Sequence, residues 1–228
     1  MNIIVIGCEY SGTSTLAVAI NEWTESSMGV RLTPLHDHWK YPHVSGHPPY
    51  ETVTSLTDDE IDQLLAFTPK LKELFMRYTL YYHTLSYQVA GTGNMLVGYH
   101  VDEAVYAPLY LGYGGPGQPG DRGAVARDIE QRILLYAPET VMVLLRASAE
   151  VIGRRMREAP HQHGLLQEKD IQPVLQMYEE HYQESQIRNK LVLDTSAATP
   201  EETLAEFVRG VEPYLTEADR LRLATRSL

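Results

Sequence analysis

The sequence predicts an α/β fold, a three-layer, doubly wound parallel sheet of about five strands. Short apolar segments alternate with segments of helical periodicity from one end of the chain to the other. This alternation is typical of βαβ units, in which each helix returns the chain to the same edge of a parallel sheet. The chain of 228 residues has the length of one domain, and we expect residues 1–228 to form a single unit.

The predicted strands are short apolar runs bounded by polar or turn-forming residues. They cover residues 3–6, 29–35, 95–97, 140–145 and 191–193. Proline has no backbone N–H to donate to a neighbouring strand. Pro34 therefore places the second strand at an edge of the sheet, or marks the end of that strand.

The predicted helices lie between these strands, and their apolar residues recur every three or four positions. Thr57 and Glu60 form a capping box at the start of one of them, because each side chain can bond the backbone N–H of the other residue. The helices cover residues 13–23, a stretch from residue 57, and residues 70–89, 102–111, 124–136, 148–158, 170–184 and 201 onward.

The composition argues against several classes of function. A net charge of −11 does not suit a protein that follows a nucleic-acid backbone, because such proteins concentrate lysine and arginine. Cys8 is the one cysteine, so no intramolecular disulfide can form and the chain suits a reducing compartment. No apolar run approaches the roughly 18 residues of a membrane span. We therefore expect a cytoplasmic protein that binds small molecules, with neither nucleic acid nor membrane as a partner.

Residues 7–15, GCEYSGTST, follow the first predicted strand and precede the first predicted helix. The stretch matches the phosphate-binding pattern GxxxxGK[ST] except that Thr13 stands in the lysine position. Gly7 and Gly12 fill the glycine positions, and Ser14 fills the position whose hydroxyl holds Mg²⁺. The alternative interpretation is an ordinary glycine-containing turn between a strand and a helix.

A loop of this form, called loop 7–15 below, can bind phosphate through its backbone. Consecutive N–H groups and the positive end of the helix dipole point at one place, and side chains need not contribute. The pattern therefore predicts nucleotide-binding roles for Gly7, Tyr10, Ser11, Gly12, Thr13, Ser14 and Thr15.

The C-terminal half carries a second pattern. Residues 141–157, VMVLLRASAEVIGRRMR, give a strand, a short turn and a helix with three arginines. The segment EAPHQHG, a further helix and the strand KLVLDTS follow. With loop 7–15, this order resembles nucleoside monophosphate kinases, thymidylate kinase most of all. The central third of the chain matches that family only in outline.

The resemblance implies a P-loop NTPase fold, the cofactors ATP and Mg²⁺, and a lid-like segment near residues 154–170. It also implies that Arg155 and Arg157 hold the transferred phosphoryl group, since arginines stabilise the charge on its oxygens. Residues 195–198 would then lie beside the adenine. The alternative is that Arg154, Arg155 and Arg157 form a solvated helix face, and three arginines within four residues cannot all face one side.

The chain departs from the thymidylate kinase pattern after the third strand. That family has an Asp-Arg pair there, whereas this chain has Tyr99 and His100, with Asp102 two positions on. We expect Tyr99 and His100 to shape the acceptor pocket, with His100 offering a donor to the substrate phosphate. Asp102 or Asp37 would take the Mg²⁺ or general-base role.

Histidines and an aspartate follow the second predicted strand, in the stretch HDHWKYPH. The kinase resemblance makes Asp37 our candidate general base, because kinases of this class bind the acceptor near that strand end and a carboxylate can take the hydroxyl proton. The predicted acceptor pocket includes His36, His38, Trp39 and Lys40, and Lys40 could replace the missing lysine in space. Two alternatives stay open, a polar surface loop and a zinc site formed by His36, His38, His43 and His47.

A second resemblance comes from the same loop. Sulfotransferases that use 3′-phosphoadenylyl sulfate have a loop of the form [KR]SGT[ST], and residues 11–14 match its centre. They also have a strand that ends in arginine, as Arg146 does here. Against this, Tyr10 occupies the basic position, and Arg154 stands where those enzymes have a serine.

We therefore expect an ATP-dependent phosphotransferase that acts on a small nucleoside, nucleotide or similar acceptor. The kinase resemblance also implies a homodimer formed through helices in the central part of the chain. The alternatives are a sulfotransferase and a non-catalytic nucleotide-binding protein, the latter because both basic residues expected near the phosphates are missing.

Overall fold

The computed structural model describes residues 1–32, 35–37, 57–84, 93–161 and 164–226, with residues 35–37 described by their backbone alone. Five strands within these ranges form one parallel sheet in the order β2-β3-β1-β4-β5. They are β1 (Asn2–Ile6), β2 (Leu35–Asp37), β3 (Asn94–Val97), β4 (Val141–Arg146) and β5 (Asn189–Asp194). Ile3 of β1 pairs with Met95 on one side and with Val141 on the other. The predicted parallel sheet is confirmed.

The helices of the described residues connect these strands. They are α1 (Thr13–Met28), α2 (Asp58–Leu65), α3 (Pro69–Thr84), α4 (Tyr99–Tyr106), α5 (Arg122–Tyr136), α6 (Ala149–Glu158), α7 (Ile171–Glu184), α8 (Pro200–Val211) and α9 (Glu217–Arg226). A π-helix (Ala107–Leu111) continues α4, and short 3₁₀ helices cover Glu168–Asp170 and Glu212–Tyr214. Within the described ranges, no helix has both the length and the apolar character needed to cross a membrane.

The second strand lies later in the chain than predicted. The apolar run from residue 29 was expected to be extended, but Gly29 ends α1 in the left-handed conformation, at φ 66°. Its N–H donates to the Glu25 carbonyl, which is a common way to end a helix. β2 therefore begins at Leu35, and it lies at the edge of the sheet, as Pro34 indicated.

The fourth helix begins earlier than predicted, at Tyr99 instead of residue 102. Gly98, at φ 74°, turns the chain directly from β3 into this helix. The side chain of Asp102 then lies over the turn, since a Cβ built on Gly98 would be 2.2 Å from its Oδ2. A carboxylate in the first turn is favoured by the helix dipole.

Helices cover both faces of the sheet, and successive residues of β1 point to opposite faces. Ile4 and Ile6 belong to a core formed with residues of α4, α5, α6 and α7. Ile3 and Val5 belong to a second core formed with residues of α1 and α8. This is the predicted three-layer arrangement, and it places the carboxyl ends of all five strands at one edge.

A buried ionic cluster joins α3, α4 and α5. The fully buried Arg122 guanidinium donates from Nε to Glu103 Oε2 at 3.0 Å and from Nη1 to Glu73 Oε1 at 3.2 Å. Tyr113, in the glycine-rich loop before α5, donates to Glu103 at 3.0 Å, and its ring lies 4.9 Å from the Arg122 guanidinium carbon. The Arg122 guanidinium therefore joins α3, α4, α5 and the loop that contains Tyr113.

We expect Arg122→Met to lower the free energy of unfolding by about 3–5 kcal/mol, because the Glu103 carboxylate stays buried without its cation. Glu73 keeps Arg77 as an ion-pair partner at 2.7 Å. Arg132→Met is the matched control. Arg132 pairs with Asp128 on the exposed side of the same helix, and a surface pair of this kind contributes about 0–1 kcal/mol. Urea unfolding of both variants measures the difference. Equal losses of unfolding free energy in the two variants would contradict the structural role assigned to Arg122.

Candidate functional site

Loop 7–15 leaves the carboxyl end of β1 through a turn that has no room for a side chain at its first residue. A Cβ built on Gly7 would lie 2.6 Å from Ser11 Oγ and 2.9 Å from the Leu145 carbonyl oxygen. The Ser11 N–H donates to the Cys8 carbonyl at 3.0 Å. Gly12 then adopts φ 97° immediately before α1, a conformation that glycine reaches without strain. Both glycines of the pattern are therefore required by the backbone.

The start of α1 faces a cleft of about 370 Å³. The residue before this helix is Gly12, which has no side chain to cap it. The N–H groups and the positive dipole end of a helix start favour an anion. The cleft is lined by Glu9, Tyr10, Ser11, Gly12, Thr13, Ser14, Thr15, Leu16, Leu145, Arg155, Ala159, His161, Thr195, Ala198, Pro200 and Thr203. All the predicted loop residues except Gly7 are on this wall. Thr195 and Ala198, expected beside the adenine, line the same cleft.

Arg155 and Thr195 contact the carbonyl side of the loop. Arg155 Nη1 donates to the Tyr10 carbonyl at 3.0 Å and to Thr195 Oγ1 at 3.3 Å, and Nη2 donates to the Thr195 carbonyl at 2.6 Å. The Thr195 hydroxyl donates to the Ser11 carbonyl at 2.8 Å. Partial burial and the neighbouring Arg154 lower the pKa of Arg155, yet a guanidinium stays charged at neutral pH. A positive charge therefore lies against the loop.

The segment after α6 folds back onto the loop. The rings of Tyr10 and His161 stack at 4.1 Å between centroids with 20° between their planes. The His161 N–H donates to the Tyr10 hydroxyl at 3.0 Å, and the Leu165 N–H donates to Glu9 Oε1 at 3.0 Å. Burial raises the pKa of Tyr10. Tyr10 makes these contacts from the left-handed conformation, at φ 68°, which is uncommon for a residue other than glycine.

Glu9 places a carboxylate inside the phosphate-binding pattern. Its side chain is buried, and its Oε2 lies 3.5 Å from His161 Nδ1 without a hydrogen-bond partner among the described residues. Sequence reasoning assigned no role to Glu9 or His161. The signals were present, since an acidic residue inside a glycine-rich loop is unusual and His161 follows the break after α6.

The three arginines of α6 lie in different surroundings. Arg155 reaches the cleft, whereas Arg157 forms an ion pair with Glu168 on the surface, where both side chains are about 60% exposed. Arg154 is also exposed and lies 4.0 Å from Glu158. The structure thus brings one of the two predicted lid arginines to the loop.

Three predicted residues at the start of α4 contact other helices. The buried Tyr99 hydroxyl donates to the Leu80 carbonyl of α3. His100 Nε2 lies 3.0 Å from Glu130 Oε1 of α5, and Asp102 Oδ1 accepts from Tyr178 of α7 at 2.6 Å. None of Tyr99, His100 and Asp102 is on the described wall of the cleft, and their roles with the acceptor or Mg²⁺ stay predictions.

The predicted acceptor residues lie mostly beyond what the structure describes. His38, Trp39 and Lys40 are outside the described ranges, as are His43 and His47. His36 and Asp37 are in β2, and Asp37 pairs with Val97 at the end of β3. Both residues therefore lie near the carboxyl ends of the strands, as loop 7–15 does. Among the described residues, no group of three or more His, Cys, Asp and Glu could hold a metal ion. Burial raises the pKa of the Cys8 thiol, which makes it a poor nucleophile.

Solved structures share this architecture over nearly the whole chain. A deoxyadenosine kinase from M. mycoides with bound dATP has a TM-score of 0.56 at 15% identity, covering 92% of this chain and 99% of that one. Thymidylate kinase from Candida albicans has a TM-score of 0.55 at 14% identity, covering 93% and 91%. YorR protein from Bacillus subtilis, in complex with phosphorylated GDP, has a TM-score of 0.52 at 17% identity, covering 95% and 100%. The chain shares the fold of these structures.

The fold implied by the sequence resemblance is therefore confirmed, and the glycine-rich loop occupies the turn between β1 and α1 that the pattern requires. No protein-family model matches the chain, and no curated protein matches its sequence significantly.

We expect Glu130→Gln to lower the free energy of unfolding by about 1–3 kcal/mol at pH 7, because the buried carboxylate accepts from Ser185 and Gln186 and faces His100. Burial opposes ionisation, but these hydrogen bonds lower the pKa of Glu130 overall. A carboxyl group whose pKa is lower in the folded state stabilises the fold at pH values above its unfolded pKa, which is about 4.3 for glutamate. That stabilisation is lost as the pH falls through the folded pKa.

The difference between wild type and Glu130→Gln should therefore narrow as the pH falls from 7 to 3. Urea unfolding at several pH values measures it. The exposed Glu158→Gln serves as the control and should show a small difference throughout. A Glu130→Gln difference that does not change with pH would contradict the role of the ionised carboxylate.

Proposed function

We propose that the chain transfers the γ-phosphoryl group of ATP to a small nucleoside, nucleotide or similar acceptor. One observation carries the proposal: a glycine loop and the start of α1 face a cleft within the fold of nucleotide kinases. Backbone N–H groups at such a helix start bind phosphate oxygens. The structural neighbours support the same class of ligand, since one of them was solved with bound dATP.

The loop would bind the donor, and β2 would position the acceptor. The acceptor oxygen attacks the γ-phosphorus, the bond to the β–γ bridging oxygen breaks, and ADP leaves. Asp37 would take the proton of an acceptor hydroxyl, because it is the last residue of β2, at the same end of the sheet as loop 7–15. The acceptor pocket would include His36, His38, Trp39 and Lys40.

Ser14 suits the proposed Mg²⁺ role, because it lies on the cleft wall in the first turn of α1 and Mg²⁺ prefers oxygen ligands. When bound, Mg²⁺ would neutralise charge on the β- and γ-phosphates. The Asp102 carboxylate accepts a hydrogen bond from Tyr178 and is not on the described cleft wall. Asp102 is therefore a weaker candidate than Ser14 for a direct ligand of Mg²⁺.

The positive charge for phosphoryl transfer would come from arginine and lysine outside the loop. Arg155 lies at the loop already. Arg157 pairs with Glu168 on the surface, and an exposed pair contributes only about 0–1 kcal/mol. Arg157 can therefore leave Glu168 at little cost when a nucleotide is bound. Lys40 is the third candidate.

A non-catalytic nucleotide-binding protein is the second candidate function. Thr13 replaces the lysine that would reach the phosphates, and Glu9 adds a buried negative charge to the same loop. Tyr99 and His100, in place of the Asp-Arg pair, bond to the protein itself. Such a site would bind a nucleotide without turnover.

The charge of −11 and the single cysteine support a cytoplasmic protein without a nucleic-acid partner. α3 exposes Leu71, Leu74, Phe75, Tyr78 and Tyr82, and the homodimer implied by the resemblance would use this helix.

We expect ATP–Mg²⁺ and ADP to raise the melting temperature of the protein. A ligand at 100 times its Kd adds about 2.7 kcal/mol to the stability of the folded state. Gly7→Ala should weaken this effect, since its Cβ would meet Ser11 Oγ and the Leu145 carbonyl. Thermal-shift titration measures both. A shift only with 3′,5′-adenosine bisphosphate would favour the sulfotransferase, and no shift with any of the three ligands would contradict nucleotide binding on the loop.

We expect Asp37→Asn to slow phosphoryl transfer by about 10²- to 10⁴-fold, because the acceptor proton loses its base. The Kd for ATP should stay unchanged, since the donor binds at the loop. ADP release in the presence of a panel of nucleosides and nucleotides measures the rate. Asp59→Asn, an exposed position on α2, is the control. Wild-type binding without turnover on every acceptor would favour the non-catalytic protein, and an unchanged rate in Asp37→Asn would exclude that base.

A further inference from the structure

Two consecutive carbonyl groups of loop 7–15 are bound by side chains that are distant in the sequence. Arg155, on α6, binds the Tyr10 carbonyl at 3.0 Å, and Thr195, after β5, binds the Ser11 carbonyl at 2.8 Å. Arg155 and Thr195 also bond to each other through Thr195 Oγ1 and the Thr195 carbonyl. The two residues form one network on the side of the loop that carries its carbonyls.

These contacts fix the two peptide groups that determine the shape of the loop. Tyr10 at φ 68° and Gly12 at φ 97° are both left-handed, and Ser11 lies between them. A left-handed conformation is unfavourable for a residue with a side chain, so the backbone at Tyr10 needs support from outside. In a trans peptide the C=O and the following N–H point in opposite directions. The bond from Thr195 to the Ser11 carbonyl therefore also fixes the direction of the Gly12 N–H.

Thr195 is itself held in place. Its side chain is buried, its N–H donates to the Arg146 carbonyl at 2.8 Å, and its hydroxyl oxygen lies 3.1 Å from the same carbonyl. The planar guanidinium of Arg155 then spans two acceptors that come from different parts of the chain. A lysine ammonium carries the same charge but is a single point with flexible geometry.

We infer that Arg155 and Thr195 are positioning residues that hold loop 7–15 in its phosphate-binding shape. The inference rests on the proposed nucleotide binding at this loop. It differs from the expectation that Arg155 acts by its charge on the transferred phosphoryl group. In a loop without a lysine, the aligned backbone N–H groups contribute a larger share of the phosphate interaction, so a shift of the carbonyls reduces affinity.

The experiment compares the Kd for ADP and for adenosine, by isothermal titration calorimetry, in the wild type and six variants. We expect Arg155→Lys to weaken ADP binding by about tenfold and to resemble Arg155→Met, because the charge alone cannot span both acceptors. Thr195→Val should also weaken it by about tenfold, whereas Thr195→Ser, which keeps the hydroxyl, should stay close to wild type. Adenosine lacks the phosphates, so its Kd should change little in every variant.

The control is Arg154→Lys, a neighbouring exposed arginine on the same helix, which should bind ADP like the wild type. Melting temperatures without ligand identify any variant that is unfolded at the assay temperature. The comparison of Thr195→Ser with the wild type, together with Arg155→Lys, then still tests the inference. The double variant Arg155→Lys with Thr195→Val should be little weaker than either single variant, because both changes release the same network.

Four results would overturn the inference. Arg155→Lys that binds ADP like the wild type while Arg155→Met does not would show that charge is what matters. Equal loss of ADP and adenosine affinity in Thr195→Val would show a general loss of structure. A wild-type protein that binds no ADP would overturn the proposed function together with the inference, whereas wild-type binding with unaffected variants would overturn the inference alone.

Discussion

The whole candidate site depends on the way the chain leaves β1. This strand pairs with β3 on one side and β4 on the other, and it is buried along its length. Its direction is therefore fixed by the centre of the sheet. A Cβ on Gly7 would lie 2.9 Å from the Leu145 carbonyl, so the loop passes directly against the neighbouring strand. Close packing thus fixes the loop relative to β4 before any functional side chain takes part.

The distribution of charge at this loop differs from the pattern that the loop resembles. Thr13 stands in place of the lysine, and Glu9 adds a buried carboxylate. Arg155 lies against the side of the loop that carries its carbonyl groups. A lysine side chain attracts phosphate from many orientations, but backbone dipoles act only when they are aligned and close. The geometry of the loop should therefore affect ligand affinity more strongly here than in a loop that has its lysine.

Local pattern predicted the strands and the loop, because each is formed by residues that are neighbours in the sequence. The alternation of strands and helices then predicted a parallel sheet. The second strand was misplaced, since the apolar run after α1 begins with Gly29, and helix termination prevailed over strand propensity. The contacts of Arg155 with Tyr10 and Thr195 could not be predicted, because they join segments that come together only in the folded chain. For the same reason, helical spacing did not show which of Arg155 and Arg157 reaches the loop.

Tyr10 meets two requirements that oppose each other. The backbone at this position favours glycine, because φ is 68°. The segment after α6 requires an aromatic ring with a hydroxyl, because it stacks His161 on that ring and donates an N–H to that oxygen. Glycine would make the loop easier to form and would leave this segment without its partner. An easily formed loop and a well-anchored segment after α6 therefore place opposite demands on one residue, and the tyrosine found here meets the second.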